Sequence, residues 1–366
     1  MKHRYKVCVY AICKNEEKFI TRWVESMKEA DKIFVLDTGS EDNSVSLLKE
    51  LGVIVKKKII HPWRFDVARN LSLDMVDKDT DICVCTDLDE ILLPGWRENL
   101  ERNWEKGLNC LFYRYNWSLD DHNIPKVSFY LGNIHDRFHY QWTHPVHEVL
   151  HYLGNSEEKV KYTDDITLNH YPDVSKSRSS YLPLLELSVK EDSSDDRNMH
   201  YLGREYMYYG RYQDCIDTLI HHLSMKKATW KDERCASMRF IGRCYKYLKR
   251  YDEAKMWYEK AIKEAPYLRD GYVELALLYY ELEDYGKMIK YCYQALRITK
   301  KKDTYINEVF SWDYTLYDLL SIGFFEIEDF EKSLAYAKMA VEMDPDNQRL
   351  IDNYQIILDT VNRYTN

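Results

Sequence analysis

From Tyr5 to about Ile91 the apolar positions fall into short runs, YKVCVYAIC, KIFVLD, VIVKKKII and DICVCTD, separated by stretches of helical spacing such as EKFITRWVESMKEA and SVSLLKELG. Runs this short and this rich in Val and Ile predict strands. Strand, helix, strand in that order requires crossover connections, so the sheet is expected to be mostly parallel. Ligands of such sheets gather at the carboxyl ends of the strands, where the polar clusters DTGSEDNS and DLDE fall. Beyond Asp192 the pattern changes to helical pairs rich in Tyr, Leu and Ala, which puts a boundary between Pro172 and Asn198. Residues 1–175 are expected to form the α/β domain, 176–197 a connecting helix and turn, and 198–366 a helical domain.

The helical half repeats itself. In FIGRCYKYLKRYDEAKMWYEKAIKEAP, residues Ile241, Gly242, Tyr245, Tyr251, Ala254, Tyr258, Ala261 and Pro266 fit the tetratricopeptide pattern of small and large positions on two antiparallel helices. Leu275, Ala276, Tyr279, Tyr285 and Ala295 repeat it, with Ala276 standing 34 residues after Gly242, the period of that repeat. Looser copies run through Leu202, Gly203, Tyr206, Gly210 and Tyr212, and through Leu320, Ser321, Phe324, Phe330, Ala337, Ala340 and Pro345. About four repeats are expected, closed by RLIDNYQIILDTVNRY as a capping helix, because stacked repeats need a terminal element with a polar outer face. The many tyrosines read first as packing between helix pairs, with a surplus available to line a groove.

Composition narrows the function. A 366-residue chain that is 45% hydrophobic can fill two cores. Its net charge of −9 and the lack of a Lys/Arg block argue against nucleic acid as a partner. No run is long and apolar enough for a membrane span, and MKHRYKVCVYAICKNEE turns polar too soon for a signal peptide, so a cytoplasmic location is expected. Nine scattered cysteines without a CxxC pair read as reduced thiols in cores; Cys83 and Cys85 share a strand face but lack further soft ligands.

Three segments carry candidate chemistry. In DLDE, Asp87 and Asp89 follow an apolar strand and can share a hard divalent cation and a ribose. In VLDTGSEDNS, Asp37 ends a strand, Gly39 permits a tight turn, and Ser40 or Asp42 can cap the next helix. In PWRFDVARN, Asp66 opens a helix and Arg69 either meets a phosphate or pairs with Asp66 on the surface.

Taken in order, ICKNEE, VLDTGSEDNS, FDVARN and CTDLDE resemble the nucleotide-sugar-binding domain of family 2 glycosyltransferases, in the bacterial branch that carries C-terminal tetratricopeptide repeats. The resemblance implies an α/β GT-A (Rossmann-like) domain followed by an all-α tetratricopeptide-repeat solenoid. It further implies a hexosyltransferase that uses a UDP-sugar donor with Mn²⁺ or Mg²⁺. On that reading Asp37 contacts the uracil or ribose, Asp87 approaches the ribose, Asp89 holds the metal, and Lys14 and Arg69 lie near the nucleotide. Glu148, in a VHE context similar to this branch, is the expected base, and His170 the expected second metal ligand, with His144, His147 and His151 as its competitors. The implied acceptor is a peptide or protein side chain held by the repeats, which also offer a surface for a homodimer.

Other classes stay open at this stage. The acceptor may instead be sought among cell-surface glycans. The run HEVLH, with His147, Glu148 and His151, matches the HExxH pattern of zinc proteases, which needs a helix that Pro145 and Gly154 argue against. A non-catalytic repeat scaffold is the third alternative.

Overall fold

The computed structural model describes residues 4–173 and 179–365, so the first residues of the expected connecting segment, 176–178, lie outside it. The chain forms two compact units, one ending at Glu191 and including Asp303–Tyr305, the other formed by the rest from Asp192 onward.

The first unit begins as the apolar runs require, with β1 (Val7–Cys13), α1 (Glu17–Met27), β2 (Lys32–Asp37), α2 (Ser44–Glu50), β3 (Ile54–Lys57), α3 (Phe65–Leu73) and β4 (Ile82–Cys85). These four strands are parallel, in spatial order β3-β2-β1-β4. The run VIVKKKII yields only the four-residue edge strand β3, whose lysines suit an unpaired edge. Period-two alternation decides which layer each residue joins. Val7, Val9, Ala11, Ile82 and Val84 pack with Phe19, Ile20, Trp23 and Met27 of α1. Cys8, Tyr10, Cys83 and Cys85 pack on the other face with Leu73 of α3 and with Trp142. All nine cysteines are buried free thiols.

After β5 (Glu90–Leu92) and α4 (Trp96–Asn103), beyond the stretch expected to be parallel, the sheet continues with antiparallel pairs. β6 (Cys110–Leu119) and β7 (Pro125–Asp136) form an antiparallel hairpin; β7 in turn pairs antiparallel with β4. The cause is local: Asp120 accepts from the His122 and Ile124 amides and Asn123 adopts φ 61°, closing a tight turn where a parallel sheet would need a crossover. β8 (Tyr140–Thr143) and β9 (Val149–Tyr152) form a separate hairpin, and β10 (Val160–His170) pairs with β6 and with β5, completing the eight-stranded order β3-β2-β1-β4-β7-β6-β10-β5. A buried chain of hydrogen bonds fastens the β8–β9 hairpin to the sheet. Trp142 Nε1 donates to Tyr10 Oη, which donates to His135 Nε2, while His135 Nδ1 meets the Asp136 carbonyl at 2.6 Å. Burial pushes His135 down to about 4, so the ring stays neutral and keeps the acceptor that Tyr10 needs.

The second unit is all helix. α6 (Asp196–Tyr208) pairs with α7 (Tyr212–Ser224), α8 (Lys231–Tyr247) with α9 (Tyr251–Glu264), α10 (Asp270–Glu281) with α11 (Tyr285–Leu296), and α12 (Thr315–Glu326) with α13 (Phe330–Met343); α14 (Gln348–Thr365) follows, and α5 (Tyr181–Glu191) belongs to the first unit. Four helical pairs and a terminal helix are therefore present among the described residues. The small positions set the spacing within a pair: a Cβ at Gly242 would lie 2.6 Å from the fully buried Tyr258 ring. The turn inside each pair passes through a left-handed residue, Gly210, Lys249, Glu283 and Glu328 in succession. No helix among the described residues is long and apolar enough to cross a membrane.

Trp23 ties the parallel strands to the site above them. It is fully buried and its Nε1 donates to Thr86 Oγ1 at 3.0 Å, next to Asp87. Trp23→Ala is expected to lower the stability of the first unit by about 3–5 kcal/mol, and Trp23→Phe, which keeps most packing but drops the hydrogen bond, by about 1–2 kcal/mol. Urea unfolding followed by circular dichroism reads both.

Candidate active site

β1 and β4 are neighbours, yet the chain leaves β1 towards β2 on one side and reaches β4 on the other. The crevice at the carboxyl ends of these strands is the switch point at which wound sheets bind ligands. Lys14, Asp37 and Asp87 stand at its rim: Lys14 follows β1 and is exposed, Asp37 ends β2 opposite Cys13, and Asp87 lies two residues beyond β4. With β1 between them, β2 and β4 are roughly 10 Å apart, a span that suits a nucleoside.

The turns after β1 and β2 are stitched together. The Asn15 amide donates to Ser40 Oγ, the Glu16 amide to Ser44 Oγ, the Glu17 amide to Asp42 Oδ2, and the Glu41 amide to Asn15 Oδ1. Ser40 thus braces the neighbouring turn rather than capping α2, while Asp42 does receive the Ser44 amide at 2.9 Å. Asp37 is buried, with its carboxylate accepting from the Gly39 and Ser40 amides at 3.2–3.3 Å; Gly39, at φ 117°, makes that turn possible.

Arg69 lies at the centre. Only 7% exposed, it donates through Nε to Glu148 at 2.9 Å, through Nη2 to Asp87 at 2.7 Å, and through Nη1 to Cys85 Sγ at 3.6 Å. Burial pulls its pKa down, but the charges of Asp87 and Glu148 outweigh that and leave it well above the ordinary value. The surface pair between Arg69 and Asp66 does not form. Asp66 is held by Arg64 at 2.8 Å, and Arg64 also reaches Glu191. Asn70 completes the helix's part by donating to the Trp142 carbonyl and accepting from the Trp142 amide, both at 2.9 Å.

Glu148 reaches Arg69 because the turn before β9 doubles back. His144 and His147 both adopt left-handed backbone, φ 76° and 51°, and Pro145 accepts from the Phe65 amide. The HExxH arrangement fails here, since Val149–Tyr152 is a strand paired with β8 and His151 stands opposite Gln141. Two histidines one helical turn apart, which that zinc chemistry requires, are not formed.

Asp89 and His170 meet at the other side of Asp87. His170 Nε2 lies 3.5 Å from Asp89 Oδ2, and the Asp89 carbonyl accepts from the Tyr171 amide. His170 Nδ1 is 3.0 Å from the Trp117 carbonyl, so Nδ1 carries a hydrogen and the ring is turned with Nε2 towards the carboxylate. Burial lowers the His170 pKa, yet the hydrogen bond to Asp89 and the Trp117 carbonyl raise it above the usual value overall. Two donors bound to one cation at about 2.1 Å stand roughly 3.0–3.4 Å apart, so the pair fits a divalent ion, and its imidazole favours Mn²⁺ over Mg²⁺.

Two partners escaped the sequence reading. Glu90 is buried, accepts from the Asp87 amide at 2.7 Å, and is pushed up to about 8 by burial and then by Asp87. Trp117 stacks on His170 at 4.6 Å between ring centres. The DLDE motif flagged Glu90 as a carboxylate but not as the buried one; Trp117 carried no signal beyond an aromatic on a strand.

The class follows from this arrangement, a wound sheet with acidic residues at its switch point. Residues 8–161 match the model of glycosyl transferase family 2, and residues 240–267 and 270–302 match the tetratricopeptide repeat. The first unit is a family 2 glycosyltransferase domain and the second carries tetratricopeptide repeats. Among solved structures the chain is similar to pilF of Pseudomonas aeruginosa, at 16% identity over 49% of this chain and 72% of that one with a TM-score of 0.37. It is likewise similar to MamA, at 16% identity over 49% and 99% with a TM-score of 0.38. YrrB, described as a tetratricopeptide protein with an unusual peptide-binding site, matches at 13% identity over 49% and 84% with a TM-score of 0.38.

Asn70 is the clamp that holds the β8–β9 hairpin, and with it Glu148, against α3. Asn70→Ala is expected to cost about 1–3 kcal/mol and to raise hydrogen exchange at the Trp142 amide by roughly 5- to 150-fold. Mass-spectrometric exchange on peptides spanning residues 140–152 checks it.

Proposed function

We propose that this glycosyltransferase is an inverting, Mn²⁺-dependent enzyme that moves a hexose from a UDP-sugar to a side chain of a peptide or protein. The observation that carries the reading is the Glu148–Arg69–Asp87 chain, with ion pairs of 2.9 and 2.7 Å, beside the facing pair Asp89 and His170. On this reading a base, a ribose contact and a pair of metal donors share the loop end of the strands.

Asp37, Asp87, Lys14 and Arg69 bind the nucleotide: Asp37 takes the uracil or ribose edge, Asp87 the ribose, and the two cations lie near the diphosphate. Asp89 and His170 hold the metal, which when bound neutralises charge on the departing diphosphate. Glu148 takes the proton from the acceptor hydroxyl or thiol. The acceptor oxygen or sulfur bonds to the anomeric carbon from the face opposite the phosphate, the bond from that carbon to the phosphate oxygen breaks, and UDP leaves with the electron pair, so the configuration inverts. Arg69 bridges Glu148 and Asp87 through its two ion pairs. It also fixes the base relative to the nucleotide.

The repeats support a peptide acceptor, because helical repeat arrays expose extended surfaces that suit a chain of residues. Glycan acceptors and a non-catalytic scaffold remain outcomes of the test. Nothing in the carboxylate set suggests decay, since Asp37, Asp87, Asp89 and Glu148 are all present.

The test incubates the protein with a panel of UDP-sugars and Mn²⁺, measures UDP release with and without cell-extract peptides, and identifies products by mass spectrometry. Glu148→Gln, which keeps an acceptor for Arg69, is expected to slow transfer by roughly 10²- to 10⁴-fold with UDP affinity preserved; undiminished turnover overturns the assignment. Asp89→Ala is expected to abolish the Mn²⁺ dependence of UDP binding in calorimetry, and retained metal-dependent binding would remove Asp89 from the site.

A further inference from the structure

A second cluster of metal-ligating side chains lies in the repeat unit, at the junction of three helix ends. Asp196 is the first residue of α6, His222 is in the last turn of α7, and Glu233 is in the first turn of α8. One ligand atom from each lies within 4.8 Å of the other two. His222 is fully buried, and its Nε2 makes no hydrogen bond while standing 3.4 Å from Glu233 Oε1. Two donors bound about 2.0–2.1 Å from one ion at a tetrahedral angle stand roughly 3.4 Å apart, so the histidine and the glutamate already hold the spacing of bound ligands.

The surroundings orient this imidazole. Ser237, one turn after Glu233 on α8, places its Oγ 3.0 Å from His222 Nδ1 and 2.7 Å from His200 Nδ1. His200 follows Asp196 by one turn on α6 and is fully buried. With His200 Nδ1 as acceptor for the Ser237 hydroxyl, Ser237 Oγ is left to accept from His222 Nδ1–H. That tautomer presents the His222 Nε2 lone pair to the cluster, the arrangement in which a hydrogen bond at one ring nitrogen fixes the other as a ligand. Asp196 is half-buried and gives the cluster a solvent-facing side.

We propose that Asp196, His222 and Glu233 bind one transition-metal dication, with Zn²⁺ the best match to one imidazole, two carboxylates and a fourth position left to water. The ion joins the start of the first helical pair and the end of its second helix to the start of the second pair. It is a structural ligand of the repeat unit, independent of the ion proposed for the transfer site.

The test uses the full chain carrying Asp89→Ala, which removes a donor from the transfer site, after removal of metal by a chelator. Zn²⁺ binding is measured by competition with a chromophoric chelator, and Co²⁺ is added as a spectroscopic substitute. The Asp89→Ala protein is expected to bind one equivalent of Zn²⁺, to show tetrahedral Co²⁺ absorption bands, and to gain thermal stability with Zn²⁺. Adding Asp196→Asn, a near-isosteric change at the half-buried ligand, is expected to weaken Zn²⁺ at least tenfold, and adding His222→Gln to abolish the cobalt bands. Absence of the Zn²⁺ equivalent in the Asp89→Ala protein, or affinity unaltered by Asp196→Asn, overturns the proposal. Because every readout is binding or stability, transferase activity does not enter either result.

Discussion

The first unit turns on one buried cation. A guanidinium taken out of water is tolerated only where carboxylates and hydrogen-bond acceptors replace the lost solvation, and Arg69 finds them on three separate elements: Cys85 at the end of β4, Asp87 just after it, and Glu148 in the turn before β9. These contacts fix the end of the parallel strands against a hairpin that is not part of the main sheet. Asn70 and the Trp142–Tyr10–His135 chain repeat that attachment from two further directions. The result is a rigid frame in which Glu148, Arg69 and Asp87 are held together, and such fixed positioning is the condition under which placed groups contribute most to catalysis.

Much of this was legible in the amino-acid order because the parallel half is built from local patterns. β1 and β4 are buried on both faces, so their residues are apolar almost throughout; three of the four motifs lie at strand ends by necessity of the crossover connections, and the fourth, FDVARN, opens α3. The partner of Arg69 was not legible. Asp66, three residues away, was the local choice, whereas Glu148 lies 79 residues further along and meets Arg69 only through the hairpin's left-handed turn. For the same reason HEVLH could be read as a protease motif until its residues proved to belong to a turn and a strand. The antiparallel half lies beyond the runs expected to be parallel, and alternation alone does not reveal which strands will pair.

The repeats show the opposite balance. Their period was visible where two copies stand 34 residues apart, and these same two, within residues 240–267 and 270–302, match the repeat model. The flanking pairs are set off by longer connections, residues 225–230 and 297–314, that break the period without altering the helical pairing. Each copy keeps the left-handed turn residue even where it is Lys or Glu rather than Gly, because the turn between the paired helices demands that conformation whatever the side chain. The His222–Ser237–His200 contacts could not be read from the sequence at all: they join three helices through residues whose spacing obeys no motif.

The claim on which the enzymatic account rests is that one divalent ion, held by Asp89 and His170, sits within reach of a nucleotide diphosphate at the mouth of β1 and β4. Anomalous diffraction at the manganese edge from crystals grown with UDP and Mn²⁺ addresses it directly. The account predicts a manganese peak between Asp89 Oδ2 and His170 Nε2, touching the diphosphate, with Asp87 on the ribose. A nucleotide bound elsewhere, or a manganese peak remote from these two side chains, would contradict it.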